Sequence, residues 1–199
     1  MIVMTIDQRK SRTNPDKVES LLQCLGNNYQ ILRLFERTAG DEVQGVVDDG
    51  RIAIRLALAI AATGEWSVGI GVGAVESPLP AQTRAGRGTA FENARDAVDR
   101  AKKSTGAIAV SGPGEESGRI EAELQLISIL ESRRSKSSQE AGGLIAEGLT
   151  QHEIAVKLGI TQQAVSQRLN LGLWHETRRL AEYAELALDG YSRTIDGGK

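Results

Sequence analysis

The chain has 199 residues, enough for one large domain or two small ones. A net charge of −2 and a pI near 5.8 exclude a generally basic nucleic-acid-binding protein, so any DNA affinity must come from local patches. The single cysteine, Cys24, excludes an internal disulfide and a cysteine-rich zinc site. No signal-peptide pattern is found, and the most apolar internal stretch, 52–62, is too short to span a membrane, so we expect a cytoplasmic protein.

The first 110 residues alternate between short apolar runs and amphipathic stretches, which indicates alternating strands and helices. Asn14 and Pro15 suit a helix cap and a first helical residue, and an Ala-Gly-Asp turn at 39–41 separates two strand-like runs. Gly69 and Gly71 alternate with apolar residues, which predicts a strand with a closely packed face. The predicted elements, in chain order, are a strand at 2–6, a helix at 16–25, strands at 29–38 and 43–47, a helix at 50–62, a strand at 66–75, a helix at 89–103 and a strand at 107–110.

This order of elements predicts a split β-α-β arrangement of the ferredoxin-like type. The Gly- and Ser-rich run SGPGEESG at 111–118 indicates a linker and a domain boundary. A helix is predicted at 119–131, a polar, basic connector at 132–139, and disorder from Asp189 onward. The expected fold class is α+β, with a ferredoxin-like (cyclase-like) domain at 1–112, a linker and connecting helix at 113–139, and a small all-α domain at 140–199.

The run TQHEIAVKLGITQQAVSQRL, at 150–169, has the spacing of a helix-turn-helix. Thr150 and Thr161 can cap two successive helices, because a threonine hydroxyl accepts from free N–H groups of the first turn. Gly159 lies between them, where a helix end often takes a positive φ that glycine adopts without strain. The residues expected to be buried are Ile154, Ala155, Leu158, Ile160, Ala164, Val165 and Leu169.

The polar residues left on the second helix suit a DNA major groove. Glutamine can bond adenine through two atoms, arginine can bond guanine, and serine can bond a base or a phosphate. The predicted DNA-binding residues are Thr161, Gln162, Gln163, Ser166, Gln167 and Arg168. The motif resembles the helix-turn-helix of sigma-factor region 4 and of LuxR-type regulators, which implies a transcriptional regulator. The alternative is a helical hairpin that packs only against protein.

The charge around this motif is close to neutral, so general attraction to phosphates is expected to be weak. Residues 136–199 hold seven Lys and Arg against eight Asp and Glu. Because a dimer binds two half-sites at once, we expect a homodimer. A helix predicted at 174–188 offers a stripe for the partner, and the alternative is that this stripe packs within its own domain. The stripe consists of Leu180, Tyr183, Ala184 and Ala187.

Three motifs of the N-terminal half occur in the order of class III nucleotidyl cyclases. IDQRKSR at 6–12 resembles the metal loop, RTAGDEVQGVV at 37–47 resembles the hairpin, and SVGIGVGAV with GRGTAFENAR resembles a strand and its following helix. Two carboxylates at adjacent strand ends can hold Mg²⁺ against a triphosphate. The resemblance implies Mg²⁺ ligands at Asp7 and Asp41, and a nucleotide effector held by Ser11, Arg37 and Arg95.

One position departs from the cyclase pattern. Active cyclases carry an Asn four residues before the helix Arg, but Phe91 occupies that position, so efficient cyclisation is not expected. Lys102 and Lys103 are predicted to form a solvated helix end. The alternative is that these site residues have purely structural roles. Asp7 then caps a helix, Asp41 is a turn residue, and Arg95 forms a surface ion pair with Glu92 or Asp99.

The combination of motifs resembles the SatD family, whose members carry a GDIxGSR-like start, a GDEFQG hairpin, a GIGxG strand and a GPAxxxAR helix. The corresponding runs are IDQRKSR, AGDEVQG, GIGVG and GTAFENAR, followed by the helix-turn-helix. The first expectation is a cytoplasmic DNA-binding regulator that senses a nucleotide. The alternatives are a Mg²⁺-dependent nucleotidyl cyclase or related nucleotide-processing enzyme, and a binding protein in which neither site is active.

Overall fold

The computed structural model describes residues 1–28 and 31–196 and is a mixed α+β structure. Its strands are β1 (Ile2–Gln8), β2 (Arg33–Arg37), β3 (Glu42–Val47), β4 (Trp66–Val72) and β5 (Ile108–Ser111). Its helices are α1 (Val18–Asn28), α2 (Gly50–Ala62), α3 (Thr89–Ala101), α4 (Glu116–Ser132), α5 (Lys136–Ala146), α6 (Gln151–Leu158), α7 (Gln162–Leu171) and α8 (Trp174–Asp196), with a short 3₁₀ turn at Thr83–Ala85. The elements predicted for the N-terminal half are present in order. The second strand is shorter than predicted, and residues 29 and 30 of that prediction lie outside the described residues.

The five strands form one sheet in the order β2-β3-β1-β4-β5. β1 lies between β3 and β4 and is antiparallel to both, whereas β4 and β5 are parallel. The register places Asp7 opposite Glu42 on one side and opposite Ser67 on the other. Because directly opposed residues of antiparallel strands point to the same face, these three side chains share one face of the sheet.

The other face of the sheet carries the main hydrophobic core. Ile2, Met4 and Ile6 alternate along β1 and are fully buried on this face. Apolar side chains of α1, α2, α4 and α8 cover them. Helix α2 begins at Gly50, as predicted, and the Asp49 carboxylate caps it by accepting from the Arg51 N–H at 2.7 Å.

Helix α3 lies on the face that carries Asp7, in close contact with the backbone of β4. A Cβ atom on Gly69 would lie 2.3 Å from Val98 N, and one on Gly71 would lie 2.2 Å from Ala94 N. Only glycine permits a helix and a strand to approach so closely at these positions. The predicted closely packed face of β4 is confirmed.

The sequence predicts a linker and a connecting helix at 113–139. Helix α4, which lies in this region, instead packs in the same hydrophobic core as the sheet. Ile120, Leu124 and Ile127 are fully buried together with the side chains of α2 and α8. The Gly- and Ser-rich run at 111–118 is therefore a loop between β5 and α4 within one packed unit, not a boundary between two units. Composition alone does not distinguish such a loop from a linker.

The side chains of α4 also cover the outer edge of β5. The Glu121 carboxylate accepts from the Val110 N–H at 2.8 Å, and the Gln125 amide donates to the Ile108 carbonyl at 3.1 Å. These bonds satisfy backbone groups that an edge strand would otherwise expose to another chain.

Helix α5 takes up the second half of the connector that is predicted at 132–139. The Ser135 hydroxyl accepts from the Ser138 N–H at 3.1 Å, so this serine caps a helix that begins at Lys136. The polar, serine-rich composition that predicts a connector is in fact the composition of a helix cap and a first turn, in which Ser138 is buried.

Helix α8 continues through the region that is predicted to be disordered from Asp189 onward. Leu188 is fully buried, and the Tyr191 hydroxyl donates to the Pro113 carbonyl at 2.6 Å. Contacts with a distant part of the chain therefore hold a segment whose own sequence is polar. Although α8 has 23 residues, neither it nor any other described helix is both long and apolar enough to cross a membrane.

The stripe of α8 that is expected to face a partner is largely used within the chain. Ala184 is fully buried in the main core, and Leu180 and Ala187 pack against that core. Tyr183 alone among the four predicted residues is largely exposed, at 64%. Most of the stripe therefore packs within the chain, which is the alternative that the sequence left open. The homodimer stays a prediction.

Candidate nucleic-acid interface and a second cleft

Helices α5, α6 and α7 share a small hydrophobic core of their own. Each helix contributes apolar side chains at helical spacing, and the polar positions of α6 and α7 face outward, as the helix-turn-helix pattern predicts. The buried residues are Ala141, Leu144, Ile154, Ala155, Val165 and Leu169. This core fixes α7 across α6 with one side open to solvent.

Helix α6 begins at a capping box. Thr150 Oγ1 accepts from the Glu153 N–H at 3.3 Å, and the Glu153 carboxylate accepts from the Thr150 N–H at 2.8 Å. The bond from the Thr150 N–H holds the pKa of the Glu153 carboxyl below its usual value. The helix ends at Gly159, whose φ of 64° is left-handed. The predicted cap and the predicted turn glycine are both confirmed.

Helix α7 is the second helix of the motif, and its polar side is exposed. The Thr161 hydroxyl caps it by accepting from the Ala164 N–H at 3.1 Å. Gln162, Gln163 and Gln167 are exposed, and none of their side chains has a hydrogen-bond partner among the described residues. Three amide groups are therefore available to an external ligand on one helix.

Ser166 and Arg168 are less available than the glutamines. Both residues are half-buried, and Arg168 Nη1 lies 3.4 Å from the Glu140 carboxylate of α5. Ion pairs of this exposure contribute only about 0–1 kcal/mol, so a phosphate or a base can displace Glu140. Arg168 must therefore leave Glu140 before its side chain can contact an external ligand.

Arg134 joins this three-helix unit to the rest of the chain, although no sequence pattern marks it. Only 5% of its side chain is exposed. Its Nε donates to the Gly172 carbonyl at 2.8 Å, its Nη2 donates to the Thr177 hydroxyl, and its guanidinium carbon lies 4.6 Å from the centroid of the Trp174 ring. In the sequence it is one of several basic residues in a polar run, and only the fold distinguishes it from its exposed neighbours.

A second candidate site is an open cleft of about 650 Å³ at the end of β1. Asp7, Ser11 and Asp41, for which the sequence predicts Mg²⁺ and nucleotide contacts, line this cleft together. The remaining lining residues are Gln8, Arg9, Lys10, Arg12, Thr13, Ser67 and Lys102. Asp7 lies near the end of β1, Ser11 in the loop that follows it, and Asp41 in the turn just before β3, so the fold brings these three predicted residues together.

Asp7 is bonded to a lysine in this cleft. Lys102 is exposed at the end of α3, as predicted, and its Nζ also lies 2.9 Å from Asp7 Oδ2, a pairing that the sequence does not indicate. Burial raises the pKa of the Asp7 carboxyl, and the negative charges of Asp41 and Glu42 add to this effect, although the bond and the charge of Lys102 oppose it. Burial alone would lower the pKa of Lys102, but the hydrogen bonds to Asp7 and Asp99 and the negative charges of these two residues together outweigh burial and leave that pKa raised.

Arg37 and Arg95 do not line this cleft. Arg37 Nη2 donates to both carboxylate oxygens of Asp16, at 2.9 and 2.8 Å. Arg95 lines a separate depression beside Arg87 and the start of α3. The ion pairs that the alternative interpretation predicts for Arg95 are not found among the described residues. Arg37 also donates from Nη1 to the Gly40 carbonyl at 3.0 Å, in the turn that holds Asp41, but neither arginine reaches the cleft itself.

No neighbouring residue replaces the Asn that active cyclases carry on this helix. Phe91 is buried against the sheet and the loop before α3. The Asn93 amide donates to the Val72 carbonyl at 2.8 Å, so it helps to hold α3 on β4.

Comparison with known proteins adds no assignment. No family model, curated protein or solved structure matches this chain. The chemistry of the two sites follows from their own residues: three unpartnered glutamines on α7, and a cleft of mixed charge at the end of β1.

The residues of the cleft fit Mg²⁺ poorly. Mg²⁺ sites that act on phosphates use carboxylates that are free to bind the ion. The Asp7 carboxylate already bonds Lys102, and among the described residues no group of three or more His, Cys, Asp or Glu side chains is placed to hold a metal ion. The lining also carries four Lys and Arg against two Asp, and this excess of positive charge favours an anion.

Ser67 is a residue of the cleft that no sequence signal marks. Its side chain is fully buried, and its hydroxyl has no hydrogen-bond partner among the described residues. Buried polar groups are normally paired, so an unpaired hydroxyl at the wall of a cleft indicates a position where a ligand atom can bind. Its place opposite Asp7 depends on the register of two strands that are far apart in the chain.

Proposed function

We propose that the protein binds DNA through α7 and acts as a transcriptional regulator. One observation carries this proposal: Gln162, Gln163 and Gln167 are exposed without partners on the second helix of a capped helix-turn-helix. In such units the second helix enters the major groove and the first crosses the backbone. A glutamine amide both donates and accepts, which matches the major-groove edge of adenine.

The other predicted residues of α7 suit contacts with the DNA backbone. The Thr161 hydroxyl accepts from Ala164 N–H but can still donate to a phosphate, and the N–H groups of the first turn favour the same anion. Ser166 can donate to a base or a phosphate at the side of the helix. Arg168 adds a cation when Glu140 is displaced, which costs about 1 kcal/mol for a pair that is partly open to solvent.

Selection of bound sequences from a random DNA library with the purified full-length chain tests this proposal. We expect an enriched motif with adenines at fixed positions, because α7 presents mainly glutamines. The double variant Gln163→Ala/Gln167→Ala should lose the enrichment. Gln82→Ala, which removes an exposed glutamine from a loop beside the sheet, should keep it. Failure of the wild-type chain to enrich any sequence would contradict the proposal.

The N-terminal unit is proposed to be a ferredoxin-like, cyclase-like domain related to the SatD family. The order β2-β3-β1-β4, with antiparallel neighbours and α1 and α2 over one face, supports a split β-α-β sheet to which β5 adds a parallel strand. The separate core of α5, α6 and α7 supports a small helical DNA-binding domain beside it.

Nucleotidyl cyclisation is the alternative function, and one observation favours it: Asp7, Ser11 and Asp41 share one cleft. The bond between Asp7 and Lys102 and the burial of Phe91 weigh against it. Incubation with ATP or GTP and Mg²⁺, followed by chromatography for cyclic nucleotides, tests the alternative. We expect no rapid production, and rapid production that Asp41→Asn abolishes would favour the enzyme.

A homodimer is a further part of the proposal, since two copies present two α7 helices to two half-sites of DNA. The internal packing of the α8 stripe means that another surface would have to form the interface. Light scattering at the concentration of the DNA-binding assay measures the molar mass of the protein. A monomer in the absence of DNA, and one protein chain per duplex in its presence, would contradict this part.

A further inference from the structure

We propose that the cleft at the end of β1 binds a phosphate-type anion without a divalent metal ion, and that Lys102 takes the place beside Asp7 that a metal ion would take. Lys102 Nζ lies 2.9 Å from Asp7 Oδ2 and 3.3 Å from Asp99 Oδ1. This inference goes beyond DNA binding and does not depend on it.

The first argument is the charge of the cleft. Its charged lining residues are four cations, Arg9, Lys10, Arg12 and Lys102, and two anions, Asp7 and Asp41. The side chains of the three cations on the loop after β1 have no ion pair or hydrogen bond among the described residues. Unpaired cations around a concave surface attract an anion more strongly than the same charges spread over open surface.

The second argument is the set of hydroxyl donors. Ser67 is fully buried, and its hydroxyl has no partner among the described residues. It lies directly opposite Asp7 on the neighbouring strand, on the same face of the sheet. A buried hydroxyl without a partner carries an unrecovered desolvation cost, which an accepting ligand oxygen would remove. Ser11 adds a second hydroxyl on the loop. Phosphate oxygens accept strongly from both cations and hydroxyls.

The third argument is what each ligand must displace. A divalent cation would have to separate Lys102 from Asp7 and would then lie among four like charges. An anion displaces no ion pair and is attracted by the three unpaired cations of the loop. The geometry therefore points to metal-independent binding of a phosphate group at this cleft.

Calorimetric titration of the full chain with inorganic pyrophosphate in EDTA tests the inference, with ATP as a second ligand. Binding of either ligand in EDTA supports it, because phosphates are recognised without a metal ion. We also expect excess Mg²⁺ to weaken binding, since Mg²⁺ neutralises the ligand charge that the cleft recognises. No binding in EDTA, or binding that requires Mg²⁺, would overturn it.

Variants separate the site from a general charge effect. Lys102→Met should weaken pyrophosphate binding at least tenfold, whereas Lys103→Met, at an exposed neighbour that does not line the cleft, should leave it unchanged. Ser67→Ala should weaken binding several-fold without lowering the Tm of the free protein, because it removes an unpaired group. If Lys102→Met does not fold, Ser67→Ala decides, and wild-type affinity in that variant would contradict the inference.

Discussion

Arg134 lies over the ring of Trp174, with its guanidinium carbon 4.6 Å from the ring centroid. Arg134 stands between α4, which belongs to the core of the sheet, and α5, which begins the helix-turn-helix unit. Trp174 opens α8, whose later turns return to the core of the sheet. The contact therefore fixes the three-helix unit of α5, α6 and α7 to the sheet at the point where the chain passes from one to the other.

Replacing this arginine by lysine should lower the free energy of unfolding by about 1–3 kcal/mol, because lysine cannot lie flat on the Trp174 ring while also bonding the Gly172 carbonyl. Urea unfolding of Arg134→Lys measures this loss. Arg133→Lys, at the exposed neighbour, is the matched control and should be close to neutral. Equal stability of the two variants would show that the contact with Trp174 is not a stabilising one.

Gly69→Ala should destabilise the protein by at least about 1–3 kcal/mol, because its Cβ would lie 2.3 Å from Val98 N and 2.5 Å from Ala94 O, both backbone atoms of α3. Gly118→Ala, on the exposed side of α4 with open space around its Cβ, should be neutral or raise stability by up to about 1 kcal/mol. Thermal unfolding of both variants, compared with the wild type, measures the two changes in stability. A neutral Gly69→Ala would mean that α3 is not in close contact with β4.

The Asp7 carboxyl should titrate with a pKa above its ordinary value of 3.8, because it is buried and close to Asp41 and Glu42. Lys102→Met should raise this pKa further, and Glu42→Gln should lower it. NMR titration of the Asp7 carboxyl carbon measures each shift, with Lys103→Met as the control. A pKa at or below 3.8 in the wild type would contradict the buried placement of Asp7.

The same pKa shift has a consequence for stability. Because the folded state holds the Asp7 proton more tightly than the unfolded state does, this residue makes the free energy of unfolding fall as the pH rises from about 3.8 through the folded pKa. Asp7→Asn should remove that part of the pH dependence. Unfolding curves that show the same pH dependence in both proteins would mean that Asp7 does not titrate as its surroundings require.

Much of the fold could be predicted because local rules determine it. The helix predicted at 50–62 has the same bounds as α2, and Thr150, Gly159 and Thr161 cap and separate α6 and α7 as predicted. These features depend on residues within a few positions of one another, where side-chain hydroxyls and glycine have strong conformational preferences.

The features that could not be predicted depend on residues that are distant in the chain. Helix α8 continues beyond Asp189, where Tyr191 packs against the loop after β5, a contact that the polar local sequence does not indicate. In the same way, the bond between Lys102 and Asp7 and the position of Ser67 opposite Asp7 follow from how α3 and β4 pack against β1. Hydrophobic periodicity carries no information about such polar contacts.

The most direct test of DNA binding by α7 is a salt-controlled affinity measurement on a selected duplex. Gln163→Ala/Gln167→Ala should weaken specific binding by about 1–3 kcal/mol for each lost bidentate contact, while the salt dependence of binding stays the same because no phosphate contact is lost. Gln82→Ala should bind like the wild type. If the double variant binds the selected duplex as tightly as the wild type does, or if the wild type binds selected and unrelated duplexes equally, α7 does not read DNA.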